Sequence, residues 1–155
     1  MKHGGGGINV YGCFSLSGVG PLVKVEGNMD AVMFKEILEK NMLPYAKKKM
    51  PRGWIYQMDN DPKHRSKLVT SWFEAKHVRV LQWPSQSPDL NPIEHLWDKL
   101  GKKVGIRTHK NKDNLFEDLL NEWGQISNTF IETLIRSMPK RCAAVIAAKG
   151  YPTKY

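Results

Sequence analysis

Hydrophobic and polar positions alternate weakly over residues 8–14, and this period of two predicts a β-strand. Gly18 and Gly20 then mark a turn, and a second run of branched residues follows at 22–25. We therefore expect a β-hairpin over residues 8–26. Its first strand would carry Ile8, Val10 and Gly12 on one face and Asn9, Tyr11 and Cys13 on the other.

Helical periods follow, in which apolar residues recur every three or four positions. The first helix is capped by Asn28 or Asp30, and Pro44 is expected to end or kink it because proline lacks a backbone N–H. Ser66 begins a second helix. In the first helix Val32, Met33, Phe34, Ile37 and Leu38 repeat at helical spacing, and in the second Leu68, Val69, Trp72 and Phe73 would form a buried stripe.

Two more strands are predicted at 54–58 and 78–81, where short runs of aromatic and branched residues are bounded by polar residues or proline. A proline-stiffened loop then leads into a helix over 92–104. The inner face of that helix would be Ile93, Leu96, Trp97, Leu100 and Val104. A helical period starts at Asp113 and runs through Phe130 to Ile135, and Pro139 starts a last helix. That last helix would carry Cys142, Val145 and Ile146.

Two acids occupy positions suited to chemistry. Asp59 ends the strand at 54–58, where an open α/β sheet places its ligand crevice, and Glu94 lies in the first turn of the 92–104 helix. Two carboxylates held close together repel each other, and a hard cation such as Mg²⁺ relieves that repulsion. A pair of such ions can support phosphodiester chemistry. Asp59 and Glu94 are therefore the candidate catalytic and metal-binding residues.

A structural alternative exists for each acid. Asn91 is a good N-cap, Pro92 suits the first helical position, and Glu94 then falls at the third, which is the pattern of a capping box. The segment that begins at Asp59 and reaches Pro62 is also a plausible turn. Spacing alone does not separate these alternatives from a catalytic role.

Composition adds a preference for polyanions. The chain has 155 residues, 41% of them hydrophobic, and a formal net charge of +9 with a pI near 9.6, so one basic domain with a real core is expected. Nucleic acid is the default partner, although solvated surface charge is the alternative. The candidate DNA-binding residues lie near the two acids: Lys63, His64, Lys99, Lys102, Lys103, Arg107, Lys110 and Lys112. His64 could touch a metal ion or a phosphate, although a lone His at a helix entrance is more often a capping or surface residue.

Other site classes are disfavoured by the sequence. Cys13 and Cys142 lack CxxC spacing, so neither a zinc site nor a disulfide scaffold is expected. Two lone cysteines of this kind favour a reducing compartment. The glycines at 4–7 lack the Lys-Ser/Thr of a phosphate-binding loop. No apolar run has the length of a membrane span, and no signal peptide is recognised.

Two sequence blocks resemble the signature of the Tc/mariner transposase superfamily, most closely its Sleeping Beauty type. They are Asp59-Asn60-Asp61-Pro62-Lys63-His64 and the run from Trp83 through Ser85-Gln86-Ser87-Pro88-Asp89-Leu90-Asn91-Pro92 to Glu94, with Leu96-Trp97 after it. That resemblance implies an Asp-Asp-Glu triad on a ribonuclease H-like fold. In that branch thirty-four residues separate the second Asp from the Glu, as they separate Asp59 from Glu94.

Further expectations come from the same resemblance. It implies Mg²⁺ as cofactor with Mn²⁺ as a substitute, double-stranded DNA at transposon ends and target as partner, cut-and-paste transposition as activity and the nucleus as location. A homodimer is compatible with it. In the family the first Asp lies on a strand upstream of the glycine-rich stretch, and the acids of this chain before Asp59 do not stand in that context.

We therefore expect an α/β, ribonuclease H-like mixed sheet flanked by helices, lacking the first strand and followed by C-terminal helices. The single domain over 1–155 would comprise the glycine-rich hairpin at 1–27, a core with the two acids at 28–104 and helices at 105–155. It would be the C-terminal catalytic part of a DDE transposase, inactive as this stretch alone. A non-catalytic transposon-derived or domesticated protein that binds DNA or another protein is the alternative. An unrelated ribonuclease H-type nuclease fits the proline-rich block less well.

Overall fold

The computed structural model describes residues 7–59, 61–62, 64–82, 90–149, 151 and 153. Within them strands and helices alternate in the N-terminal half and helices alone follow, so the chain is α/β as expected. In chain order the elements are β1 (Asn9–Ser15), β2 (Gly18–Val25), α1 (Ala31–Ile37), a π-helical segment (Leu38–Met42), α2 (Leu43–Lys49), β3 (Ile55–Tyr56), α3 (Lys67–Ala75), β4 (Arg79–Val80), α4 (Ile93–Val104), α5 (Lys112–Gly124), α6 (Asn128–Arg136) and α7 (Met138–Ala147).

The predicted hairpin is confirmed. Strands β1 and β2 pair antiparallel, from Asn9 opposite Val25 to Ser15 opposite Gly18, with a bulge between Gly12 and Phe14. Gly18 has a φ of 111°, a backbone conformation that a side chain would strain, so glycine is needed where β2 leaves the turn. Pairing from that turn onward makes β2 four residues longer at its start than the predicted 22–25.

The strands predicted at 54–58 and 78–81 form a second, shorter sheet. Ile55 pairs with Arg79 and Tyr56 with Val80, in parallel, and the Leu81 N–H extends the contact by donating to the Tyr56 carbonyl at 2.8 Å. The mixture of antiparallel and parallel pairing is as expected. In the described residues the two kinds of pairing occur in two separate two-stranded sheets, since β1 and β3 are neither paired with each other nor joined through another described strand.

The hairpin lies between two hydrophobic cores, and its alternation decides which residue enters which core. Tyr11 and Cys13 pack into a core with α1, α2 and α3, where Phe34 and Leu38 are among the most buried side chains. Val10 and the other face of β1 pack into a core with α4, α5 and α6, centred on Leu96, Leu100 and Ile131. The predicted division of the β1 faces is confirmed.

Pro44 does not end its helix. The chain stays helical from Ala31 to Lys49, but Leu38–Met42 is π-helical, and the Leu43 N–H donates to the Leu38 carbonyl five residues back. A proline ring clashes with the carbonyl four residues earlier, and one wider turn keeps the hydrogen bonds on either side of that clash. The N-cap is Asp30, whose carboxylate accepts the Met33 N–H at 2.8 Å.

The buried stripe of α3 is narrower than predicted. Val69, Trp72 and Phe73 are buried, whereas Leu68 is 43% exposed, so its placement in the stripe was wrong. Ser66 caps the helix as predicted, accepting the Val69 N–H. Leu68 is the second residue after the cap, and the three buried residues at spacings of three and four already cover the face toward α1.

The C-terminal helices differ from the predicted pattern at two points. The period that runs from Asp113 to Ile135 is broken at 125–127, because Ser127 caps a new helix by accepting the Phe130 N–H. On α7, Cys142 is exposed and Ile146 is 77% exposed, and the buried side chain is Arg141. The third residue predicted on α7, Val145, is half-buried. No helix of the described chain is long and apolar enough to span a bilayer.

Gly12→Ala is expected to destabilise the protein by about 1–3 kcal/mol, the usual cost of overpacking a core. A Cβ at Gly12 would lie 2.7 Å from the Cη2 atom of Trp97 and 3.2 Å from ring atoms of Trp123. These two indoles stack with centroids 5.2 Å apart, so neither can move without disturbing the other. Urea unfolding measures the loss. Gly124→Ala is the control, since its Cβ would meet nothing within 4 Å, and equal losses in both variants would contradict this packing.

Candidate functional site

Asp59 lies three residues beyond the end of β3, and local hydrogen bonds hold its carboxylate. Its Oδ1 atom is 2.5 Å from Nδ1 of His64 and accepts the Asp61 N–H at 3.3 Å. The His64 hydrogen bond lowers the pKa of Asp59, with burial opposing it. The side chain is 55% exposed, so an ionised carboxylate reaches solvent at this strand end.

His64 joins Asp59 to the core. Its ring stacks on Phe34 of α1 with centroids 3.9 Å apart, its backbone N–H donates to the Asp61 carbonyl at 2.9 Å, and its side chain is only 13% exposed. The Nε2 atom is buried without a hydrogen-bond partner in the described part of the chain. His64 was predicted as a DNA-binding candidate, and that role stays a prediction: its Nδ1 atom is engaged by Asp59 and its Nε2 atom is buried.

Glu94 lies in the first turn of α4 and is exposed. The residue before the helix is Pro92, which makes no side-chain capping bond, and the Glu94 N–H donates to the Asn91 carbonyl at 3.2 Å. The capping box considered as the structural alternative is not formed by these residues. The inner face of α4 is confirmed, with Leu96, Leu100 and Val104 buried and anchoring the helix that presents Glu94.

Asp59 and Glu94 line one cavity of about 580 Å³, together with His64. Its walls include β1 and β3, which are not paired to each other, the start of α4, and Phe34 of α1. A hydrogen bond from the Gln57 amide to the Leu90 carbonyl, at 3.3 Å, ties the Asp59 segment to the chain leading into α4. The two acids therefore approach the same space from different elements, and a carboxylate separation of roughly 4–8 Å, fit for a shared ion or two ions, stays a prediction.

The chemistry of this donor set fits a hard divalent cation. Mg²⁺ is usually bound by one or two carboxylates and keeps several of its waters. Asp59 and Glu94 offer two carboxylates at a solvent-accessible cavity. Among the described residues no group of three or more His, Cys, Asp or Glu side chains is placed to hold a metal.

The predicted DNA-binding residues fall into two groups, apart from Lys63, which lies outside the described residues. Most are engaged within the protein: Lys99 stands 3.7 Å over the Phe130 ring, Lys102 pairs with Asp98, Lys103 with Glu122, and Arg107 with Asp118 and Glu122. Lys110 and Lys112 line a groove of about 960 Å³ that also contains Glu94. These two lysines are exposed and share that groove with Glu94, whereas Asp59 is not among its lining residues.

One polar contact at the site had no sequence signal. The buried Arg141 guanidinium of α7 donates to Ser137 Oγ at 2.7 Å and lies 2.7 Å from Nε2 of His95, the neighbour of Glu94. Burial and the Arg141 charge lower the pKa of His95, in keeping with Nε2 accepting the guanidinium N–H. The contact fastens α7 to the start of α4.

Comparison with known proteins identifies the family. A family model described as "DDE superfamily endonuclease" matches residues 2–116. The chain is 50% identical to the transposable element Tcb1 transposase of Caenorhabditis briggsae over 156 residues, and 50% identical to the Tc1 transposase of Caenorhabditis elegans over 155 residues. Each match covers 100% of this chain and 57% of the relative, so the chain spans little more than half of their length.

The fold matches a solved catalytic domain. A structure of the Mos1 transposase catalytic domain with raltegravir and Mg superposes with a TM-score of 0.87 at 20% identity, covering 95% of this chain and 77% of that one. The catalytic domain of Mos1 mariner transposase gives 0.83 at 20% identity, covering 95% and 82%. The predicted ribonuclease H-like architecture is thereby confirmed. The chain belongs to the DDE superfamily of endonucleases, in its Tc/mariner transposase branch.

Proposed function

We propose that this chain carries part of the catalytic centre of a cut-and-paste transposase, which cleaves DNA phosphodiesters and transfers the strand with the help of Mg²⁺ or Mn²⁺. The single observation that carries the proposal is that Asp59 and Glu94 line one cavity from two different elements. Membership of the Tc/mariner branch supports assigning that cavity to DNA. The missing member of the triad would be an Asp supplied from upstream in the longer protein.

The two acids have one role in this proposal, which is to hold the divalent cation. Both are exposed, and His64 favours the ionised form of Asp59, the form that binds cations. When bound there, Mg²⁺ supplies activation of a water or sugar hydroxyl and stabilises the leaving oxygen. The rigid attachment of α4 to the core through Leu96 and Leu100 keeps Glu94 in place during the reaction.

Double-stranded DNA is the proposed substrate, and the groove containing Lys110, Lys112 and Glu94 is the proposed path of its backbone. Charge at such a groove would neutralise phosphates without reading bases. Solved Mos1 transposase structures include a strand transfer complex and a paired end complex. By extension we propose that the longer protein acts on transposon ends, in the nucleus and as a homodimer.

DNA binding by the chain is expected to depend steeply on salt and little on sequence. Each neutralised phosphate contributes about −0.9 to the slope of log affinity against log salt concentration. Replacing both Lys110 and Lys112 by Ala should therefore reduce the magnitude of that slope by about 2. Fluorescence anisotropy with random and transposon-end duplexes at several salt concentrations measures the slope.

The matched control removes two lysines elsewhere, Lys40 and Lys48, of which Lys40 pairs with Glu36 on the α1 side of the molecule. This control should leave the slope within experimental error of the unsubstituted chain. A flat salt response, a strong preference for one sequence, or equal losses in the two double variants would contradict the proposed path.

A further inference from the structure

We propose that His64 is a positioning residue, which fixes the Asp59 carboxylate toward the cavity by a hydrogen bond from Nδ1 and is itself held by Phe34. The hydrogen bond is observed within this chain and does not depend on the proposed function. Its consequence for metal binding rests on the proposed function. This role differs from a contact to DNA or metal, which would need a ring nitrogen directed outward.

The hydrogen bond defines which nitrogen carries the proton. An ionised carboxylate only accepts hydrogen bonds, so Nδ1 of His64, 2.5 Å from Asp59 Oδ1, must be the donor. The Asp61 N–H reaches the same oxygen at 3.3 Å. Both contacts use Oδ1 and neither uses Oδ2. One oxygen is thus fixed by the protein while the carboxylate as a whole stays half-exposed.

The imidazole is fixed from its other side. Its ring lies 3.9 Å from the Phe34 ring with planes 29° apart, and Phe34 is 2% exposed within the core beneath α1. The buried Nε2 atom has no hydrogen-bond partner in the described ranges. Stacking and burial leave the ring little freedom to rotate, so Nδ1 points at Asp59 in one direction. The chain from Phe34 through His64 to Asp59 ties the strand-end acid to the core.

Positioning of this kind has a measurable effect on a ligand carboxylate. Outer hydrogen-bond partners of metal ligands typically contribute about 10- to 100-fold to metal affinity. Without His64 the Asp59 side chain would keep only the long Asp61 contact among those described here. Its rotamers would then be free to exchange with solvent-facing alternatives, since the side chain is 55% exposed.

Three substitutions separate positioning from other roles. The side-chain amide nitrogen of Asn stands close to where Nδ1 stood, whereas that of Gln stands close to Nε2. We therefore expect His64→Asn to keep most of the Mn²⁺ affinity, and His64→Gln and His64→Ala to lose about 10- to 100-fold. Asp59→Ala gives the Mn²⁺ affinity that remains when the proposed metal-binding carboxylate itself is absent. Circular dichroism melting of each variant corrects for any loss of folded protein.

Two readouts on the 155-residue chain test the proposal. Long-range ¹H–¹⁵N spectra of the histidine rings should show a proton on Nδ1 of His64, and Mn²⁺ titration followed by electron paramagnetic resonance should rank the variants in the order given. The proposal would be overturned by an unprotonated Nδ1 of His64, by a His64→Gln variant that keeps the Mn²⁺ affinity while His64→Asn loses it, or by equal Mn²⁺ affinity in all three variants. If Asp59→Ala binds Mn²⁺ as well as the unsubstituted chain while Nδ1 is protonated, the proposed function fails and the hydrogen bond stands.

Discussion

Replacing Asp59 by Asn or Glu94 by Gln is expected to lower metal-dependent DNA cleavage at least about 1000-fold, in a polypeptide extended upstream to include the family's first Asp. Each amide keeps the shape of the side chain and removes the negative charge that binds the cation. Metal catalysis contributes several kcal/mol to such reactions, and each ~1.4 kcal/mol is a factor of ten in rate. Single-turnover cleavage of a labelled transposon-end duplex in Mg²⁺ measures the loss.

Asp98→Asn is the matched control. Asp98 lies on α4 one turn beyond Glu94, is exposed, and pairs with Lys102 at 2.6 Å instead of lining the cavity with Asp59. Its substitution should change the cleavage rate less than about threefold, as expected for an exposed ion pair on a helix. Comparable losses in Asp98→Asn and Glu94→Gln would show that charge on α4 in general, and not the acid at the cavity, supports the reaction.

A polypeptide of these 155 residues alone should not nick supercoiled DNA in Mg²⁺ or Mn²⁺, whereas the extended one should. The cavity beside Asp59 is bounded by β1 and β3, and in the described residues each pairs with a strand on one side only. Buried backbone groups left without partners cost about 1–3 kcal/mol each, and exposed strand edges invite pairing with other chains. We expect the extended polypeptide to unfold at a higher urea concentration as well as to regain cleavage.

The same comparison separates the enzyme from the non-catalytic alternative. If the extended polypeptide also fails to nick while binding DNA, the DNA-binding interpretation is the better one. If the 155-residue chain nicks as fast as the extended one, and Asp59→Ala abolishes that activity, then the additional strand is dispensable and the account of the cavity is wrong.

The sequence predicted the elements well where one signal controlled the local structure. Alternation in β1 correctly divided Tyr11 from Val10 between the two cores, and Ser66 and Asp30 cap their helices as expected. Of the two outcomes predicted at Pro44, an end of the helix was wrong, because a π-helical segment precedes the proline and the chain stays helical, and sequence period does not report that adjustment.

Tertiary contacts could not be predicted in the same way. Ile146 of the last helix is 77% exposed, while Arg141 is buried beside His95 of α4, which lies forty-six positions earlier in the chain. His64 was placed at a helix entrance correctly, but its stack on Phe34 joins residues thirty positions apart. The resemblance pointed to Asp59 and Glu94 as a pair, and only the structure shows the cavity that both line.

The central claim is that Asp59 and Glu94 hold one metal centre, and a crystal grown with Mn²⁺ tests it most directly. The anomalous signal of Mn²⁺ locates the ion without reference to activity or to DNA. We predict a peak in the cavity that both acids line, with a carboxylate oxygen of Asp59 and one of Glu94 each within about 2.5 Å of an ion, or of two ions about 4 Å apart. An ion bound elsewhere on the protein with that cavity empty, or the two carboxylates directed to opposite sides of the molecule, would contradict the account.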